Sequence, residues 1–136
     1  MNKLLIEDVN NFVENNKEFT EHLVKNEYEY LSFALIESIS TLGCLLERDT
    51  QTVKNELYDI FIYLNIYNDD FIEEIINNRT EIDDLNKEMF AIIADLSDLG
   101  LEFQIYELII NVCNEIAHKH FNQTYEEFLI EYLQKN

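Results

Sequence analysis

The sequence predicts an all-α protein, a compact single-domain bundle of six to seven helices, and three observations lead to that prediction. Pro is absent and Gly occurs only twice in 136 residues, whereas the tight turns of a β-rich protein normally use both. Apolar residues recur at intervals of three and four, the spacing of one face of a helix. The hydrophobic fraction of 47% suffices for one core, and no linker or repeat divides residues 1–136.

Three helices are predicted in the N-terminal part of the chain. The first covers about residues 3–15, and the second is long and starts near Phe19. Asp49 or Thr50 is expected to cap the third helix by accepting a bond from an amide of its first turn. The predicted apolar faces are, in order, Leu5, Val9 and Phe12, then Val24, Tyr28, Leu31, Leu35, Leu42 and Leu46, then Val53, Leu57, Phe61 and Leu64.

A break at residues 68–70 separates these helices from a short helix and a longer one. Thr80 with Asp83 is expected to cap the longer helix, which stops at Gly100 as a left-handed terminator. The predicted apolar faces are Phe71, Ile72, Ile75 and Ile76 in the short helix, and Ile82, Leu85, Met89, Ile92 and Leu96 in the longer one.

Two further helices complete the predicted bundle. The first of them ends at residues 118–120, His-Lys-His, whose cationic character suits a helix C-terminus. Thr124 and Glu127 have the spacing of a capping box for the last helix. The predicted apolar face of the penultimate helix is Leu101, Ile105, Leu108, Val112 and Ile116.

The charge of the chain excludes several classes of partner. The net charge is −19, from 28 acidic and 9 basic residues, so direct binding to nucleic acid or to an anionic membrane is not expected. The first apolar stretch is too short for a signal peptide, and no run approaches the roughly 20 apolar residues of a membrane span. We therefore expect a cytoplasmic protein, located in the host cytoplasm if a phage encodes it.

Neither a cofactor nor a catalytic site is predicted. The best metal-ligand candidates are Cys113, Glu115, His118 and His120, but the second Glu-x-x-His of a di-iron carboxylate site is absent from the sequence. Cys44 and Cys113 lie among apolar neighbours and are expected to be buried thiols. Two isolated glycines do not make a phosphate-binding loop. We therefore expect no metal site and no enzymatic activity.

Carboxylates are concentrated in two stretches without Lys or Arg, between Lys54 and Arg79 and between Lys87 and Lys119. On a helix, carboxylates three or four residues apart lie about 5–6 Å from one another, so a row of them resembles a phosphate backbone in charge. The predicted partner-binding residues are Glu56, Asp59, Asp69, Asp70, Glu73 and Glu74 in the first stretch, and Asp95, Asp98 and Glu102 in the second. The candidate aromatic anchors are Tyr58, Tyr63, Tyr67, Phe71 and Tyr106.

These patterns predict a small acidic inhibitory protein that acts as a DNA mimic and blocks the basic nucleic-acid-binding groove of a target. The expected target is a nuclease or a CRISPR effector, so the settings that fit are an anti-defence protein, such as an anti-CRISPR protein, and an immunity protein against a nuclease toxin. The alternative is a helical protein–protein adaptor or homo-oligomerising module that uses its hydrophobic and aromatic faces, with a homodimer left open. Salt distinguishes the two, because it screens exposed charges but not apolar contacts.

Overall fold

The computed structural model describes residues 29–45, 49–67 and 82–135, which form five helices and no strand. The helices are α1 (Glu29–Leu45), α2 (Thr50–Tyr67), α3 (Leu85–Leu99), α4 (Phe103–Phe121) and α5 (Tyr125–Lys135). The all-α class is confirmed, whereas these residues hold fewer than the six to seven helices predicted. The predicted helices at 3–15 and 71–76 lie outside the described residues, as does the beginning of the helix predicted from Phe19.

The five helices pack around one apolar core. α1 packs against both α2 and α3, and α4 packs against α3 and α5. α2 also contacts α4 and α5, so the first helices of the chain pack against the last ones. Every helix contributes to the core, where Leu35, Leu57, Ile92, Ile109 and Leu129 of α1 to α5 are fully buried. None of the five helices is both long and apolar enough to cross a membrane.

Two of the predicted helix caps are confirmed. The Asp49 carboxylate accepts a 3.2 Å bond from the Thr52 amide and a 2.6 Å bond from its hydroxyl, ahead of α2. At α5, the Glu127 amide donates to the Thr124 hydroxyl and the Thr124 amide donates to the Glu127 carboxylate, which is the reciprocal pattern of a capping box. Both caps depend only on residues three apart, so the local sequence determines them.

The start of α3 differs from the prediction. Asp84 is the N-cap and accepts a 3.1 Å bond from the Lys87 amide, so Asp83 and Ile82 precede the helix and Ile82 is not part of its first turn. Thr80 lies outside the described residues. Thr and Asp can both cap a helix, and the residue whose side chain reaches the third amide of the helix, here Asp84, fixes its first residue.

The conformation of Gly100 and the first residue of α4 also differ from the prediction. Gly100 ends α3 with a positive φ of 75°, but its ψ of −170° lies outside the left-handed helical region. α4 begins at Phe103, so Leu101 precedes the helix and is only partly buried against the core. The left-handed residue of this pair of helices is Asn122, which follows α4 with φ 53° and ψ 39°.

Candidate partner-binding surface

Three of the predicted partner-binding carboxylates belong to the segment where α3 ends and α4 begins. Asp95 and Asp98 belong to the last two turns of α3, and Glu102 is the residue before α4. Asp98 and Glu102 are exposed, and Asp95 is partly exposed. We call these three residues the acidic corner.

The periodicity of α3 explains why Asp98 of the acidic corner faces solvent. Its buried face consists of Leu85, Met89, Ile92 and Leu96. Asp98 lies two positions after Leu96, which is about 200° around a helix of 3.6 residues per turn. Burial of the apolar stripe therefore turns Asp98 outward.

Backbone hydrogen bonds fix the connection that carries these carboxylates. The Gly100 amide donates to the Leu96 carbonyl at 3.1 Å, and the Leu101 amide donates to the Ser32 hydroxyl on α1 at 3.2 Å. The Glu102 carbonyl accepts from the amide of Tyr106 at 2.9 Å, as the first bond of α4. The acidic corner is therefore part of the packed bundle, and its charges are placed before a partner arrives.

The segment of chain that carries the acidic corner also exposes two large apolar side chains, which the sequence prediction did not include. Leu99 is 62% exposed and Phe103 is 47% exposed. The sequence does contain a feature that indicates their exposure: Leu99 immediately precedes Gly100, and Phe103 follows shortly after it. Each residue therefore lies at the end of a helix, with helical neighbours on one side only. Terminal positions often leave the buried face even where the apolar spacing continues.

The predicted residues on α2 have a different environment. Asp59 is partly buried, one turn after Glu56. Burial raises the pKa of the Asp59 carboxyl from its ordinary value of 3.8 to about 6, and the negative charge of Glu56 adds to the increase. Burial also raises the pKa values of Tyr63, Tyr125 and Tyr132, and the nearby Asp59 charge raises them further. Asp59 thus faces an aromatic part of the bundle, while Glu56 is partly exposed.

The raised pKa predicts the effect of replacing Asp59 with Asn. Between pH 4 and pH 6 the folded protein binds more protons at Asp59 than the unfolded chain does, so this group's contribution to stability is lost as the pH rises through about 6. Asp59→Asn removes the charge and should stabilise the protein at pH 7.5 by roughly 1 kcal/mol, a value reduced because water still reaches the side chain. Urea unfolding of both proteins at pH 4 and pH 7.5 measures the difference, which should nearly vanish at pH 4.

The control for this experiment is Asp98→Asn, because Asp98 is exposed and such a change is expected to alter stability little at either pH. If Asp59→Asn were less stable than the parent protein at pH 7.5, the Asp59 carboxylate would be a net stabilising group, which contradicts an unfavourable burial of its charge.

The remaining predicted carboxylates, Asp69, Asp70, Glu73 and Glu74, lie outside the described residues, as does Phe71. Among the described residues, the predicted carboxylates therefore fall into two groups. One is the acidic corner at the α3–α4 connection, and the other is Glu56 and Asp59 on α2.

Of the predicted aromatic anchors, Tyr106 is a core residue with no exposed surface, so its assignment to an interface was wrong. Tyr58 and Tyr63 are partly buried against the core. Tyr58 stacks on Tyr132 of α5, with ring centroids 4.6 Å apart and an angle of 26° between the rings. The side chain of Tyr67 lies outside the described residues.

The described thiol and imidazole groups are those of Cys113, His118 and His120, and they differ in environment. Cys113 is buried, as predicted, and burial raises the pKa of its thiol to about 12, so it is not a thiolate nucleophile at neutral pH. His118 and His120 are exposed in the last turn of α4. Within the described residues no group of three His, Cys, Asp or Glu side chains is arranged to hold a metal ion. The side chain of Cys44 lies outside them.

An open groove of about 420 Å³ lies between α2 and the C-terminal helices. Lys54 lies over the Phe121 ring, 5.5 Å from its centroid. On the opposite wall Glu131 accepts a hydrogen bond from the Gln123 amide. The groove holds charges of both signs, and none of the three residues of the acidic corner lines it.

Comparison with known proteins adds no relative: no family model, no curated protein and no solved structure matches the chain.

Proposed function

We propose that the protein binds a basic nucleic-acid-binding groove of another protein and blocks it. The observation that carries the proposal is the acidic corner, where Asp95, Asp98 and Glu102 lie on a backbone fixed by the packing of α1, α3 and α4. The sequence contains neither Lys nor Arg between Lys87 and Lys119 to neutralise them. A net charge of −19 exceeds the magnitude of about 2–8 that suffices for the solubility of a small domain.

The mechanism is competition for the cationic side chains that hold phosphate groups. Carboxylates at the acidic corner attract the Lys and Arg residues of the groove, and the net negative charge accelerates the encounter. Once bound, the helical bundle excludes nucleic acid from the groove by its bulk. The settings that fit are an anti-defence protein directed at a nuclease or CRISPR effector, such as an anti-CRISPR protein, and an immunity protein that neutralises a nuclease toxin.

An affinity capture at two salt concentrations tests the proposal. The protein is immobilised, exposed to lysate of its own host, and washed at about 50 mM or about 500 mM salt. Exposed charges are screened over about 10 Å at 0.1 M salt and over less at higher salt, so a nuclease or CRISPR effector should be retained at low salt and released at high salt. Retention at both salt concentrations of a partner that has no role with nucleic acids would refute the proposal.

The second candidate function is a helical adaptor or homo-oligomerising module. Phe33 of α1 and Phe90 of α3 favour it, since they are 57% and 76% exposed on two helices that pack together. An apolar contact should persist or strengthen as salt increases. Recovery of the protein alone as a salt-resistant dimer in the same capture would support this function.

A further inference from the structure

Leu99 and Phe103 lie in the same short segment of chain as the carboxylates of the acidic corner. Asp98 immediately precedes Leu99, and Glu102 immediately precedes Phe103. Both apolar side chains have about half or more of their surface in solvent. Exposed apolar surface with a charged rim is characteristic of an interaction site.

Phe103 is also held in position before any partner binds. Its ring stacks on that of Tyr106, with centroids 5.5 Å apart and an angle of 27° between the rings. Tyr106 is fully buried, so it is a fixed support. Binding through Phe103 therefore costs little side-chain entropy, which is a property of effective anchors.

We infer that the acidic corner with Leu99 and Phe103 docks into a protein groove that binds single-stranded nucleic acid. This inference rests on the proposed function and specifies its partner. Grooves for single strands combine cationic residues along the phosphates with aromatic residues on which unpaired bases stack. Asp98 and Glu102 are complementary to the cationic residues, and Leu99 and Phe103 are complementary to the stacking residues.

A groove for duplex DNA is a poorer match to the same corner. Such a groove contacts phosphates and the polar edges of paired bases, mostly through charged and polar side chains. Leu99 and Phe103 would cover those side chains without offering hydrogen bonds, and burying a polar group without a partner is unfavourable. The two exposed apolar residues therefore favour the single-strand class.

The test uses two protein fractions of the host lysate as probes. One is eluted from single-stranded-DNA cellulose, and the other binds only to duplex-DNA cellulose. The test variant is Leu99→Ala/Phe103→Ala, with Leu99→Ala alone as a second variant that leaves the Phe103–Tyr106 stack intact. The control is Phe90→Ala, because Phe90 is more exposed and lies five positions before Asp95, about 140° around α3.

We expect the unmodified protein to retain a protein from the single-strand fraction and to release it when a short oligo-dT strand is added, but not when a duplex is added. Leu99→Ala/Phe103→Ala should weaken this binding by about tenfold or more, Leu99→Ala should weaken it less, and Phe90→Ala should leave it unchanged. All three variants keep every charge, so a loss is attributable to the apolar side chains.

Equal binding by Leu99→Ala/Phe103→Ala, capture from the duplex fraction alone, or capture of only a second copy of the chain would overturn the inference. Salt-sensitive capture from the duplex fraction would leave the proposed function standing. Absence of capture from both fractions would refute the proposed function itself.

Discussion

The double variant Asp98→Lys/Glu102→Lys is expected to bind the partner roughly 100-fold more weakly at low salt. Both carboxylates are exposed, and each substitution places a cation against the cationic groove, so attraction becomes repulsion. The fold should be retained, because a cation is favourable in the last turn of α3 and unfavourable before the first turn of α4, so the two effects on stability oppose each other. A titration of the captured partner measures the change in Kd.

The control is Glu37→Lys/Asp83→Lys, in which both replaced carboxylates are exposed and neither belongs to the acidic corner. Each substitution raises the charge by two, so both double variants move from −19 to −15. An equal loss of affinity in the two variants would show that binding depends on net charge alone and that the acidic corner has no special role.

Tyr125→Ala is expected to destabilise the fold by about 3–5 kcal/mol. The ring is fully buried where α5 meets α2 and α4, and its hydroxyl donates a hydrogen bond to the Leu57 carbonyl. Besides burial, the neighbouring Cys113 thiol raises the pKa of Tyr125. Removing the ring leaves a cavity beside these groups. Urea unfolding at neutral pH measures the effect, which is a large share of the 5–15 kcal/mol typical of a folded domain.

Two conservative variants separate the contributions at this position. Tyr125→Phe keeps the ring and should cost only about 1 kcal/mol for the lost hydrogen bond. Tyr132→Phe removes a hydroxyl whose 3.1 Å bond to Asn55 is exposed, so it should change stability very little. A Tyr125→Phe variant as unstable as Tyr125→Ala would mean that the hydroxyl, not the packing of the ring, holds α5 to α2.

The features predicted correctly from the sequence are those that depend on a few neighbouring residues. Asp49 with Thr52 and Thr124 with Glu127 are pairs three residues apart, and each forms its cap without help from the rest of the fold. α3 was predicted to start after Thr80, whereas the observed N-cap is Asp84, four residues later, because Thr and Asp are both suitable caps. The apolar spacing alone does not choose between them.

The features that depend on helix arrangement were not predictable. Ile60, Phe61 and Ile62 are buried in succession because α2 contacts three other helices, and this wide buried face places the preceding Asp59 partly inside. Tyr106 is fully buried for a similar reason, since α4 packs between α3 and α5. A single stripe in the sequence indicates one buried face but not the number of neighbours that cover the helix.

The most direct test of the proposed function is a competition experiment on the isolated partner. The partner is first loaded with its fluorescently labelled nucleic acid, and this protein is then added at low and at high salt. The proposal predicts that the labelled nucleic acid is released at low salt, with no complex containing all three components, and that release weakens steeply as salt increases. A stable complex of partner, nucleic acid and this protein would contradict the claim that the acidic corner occupies the groove.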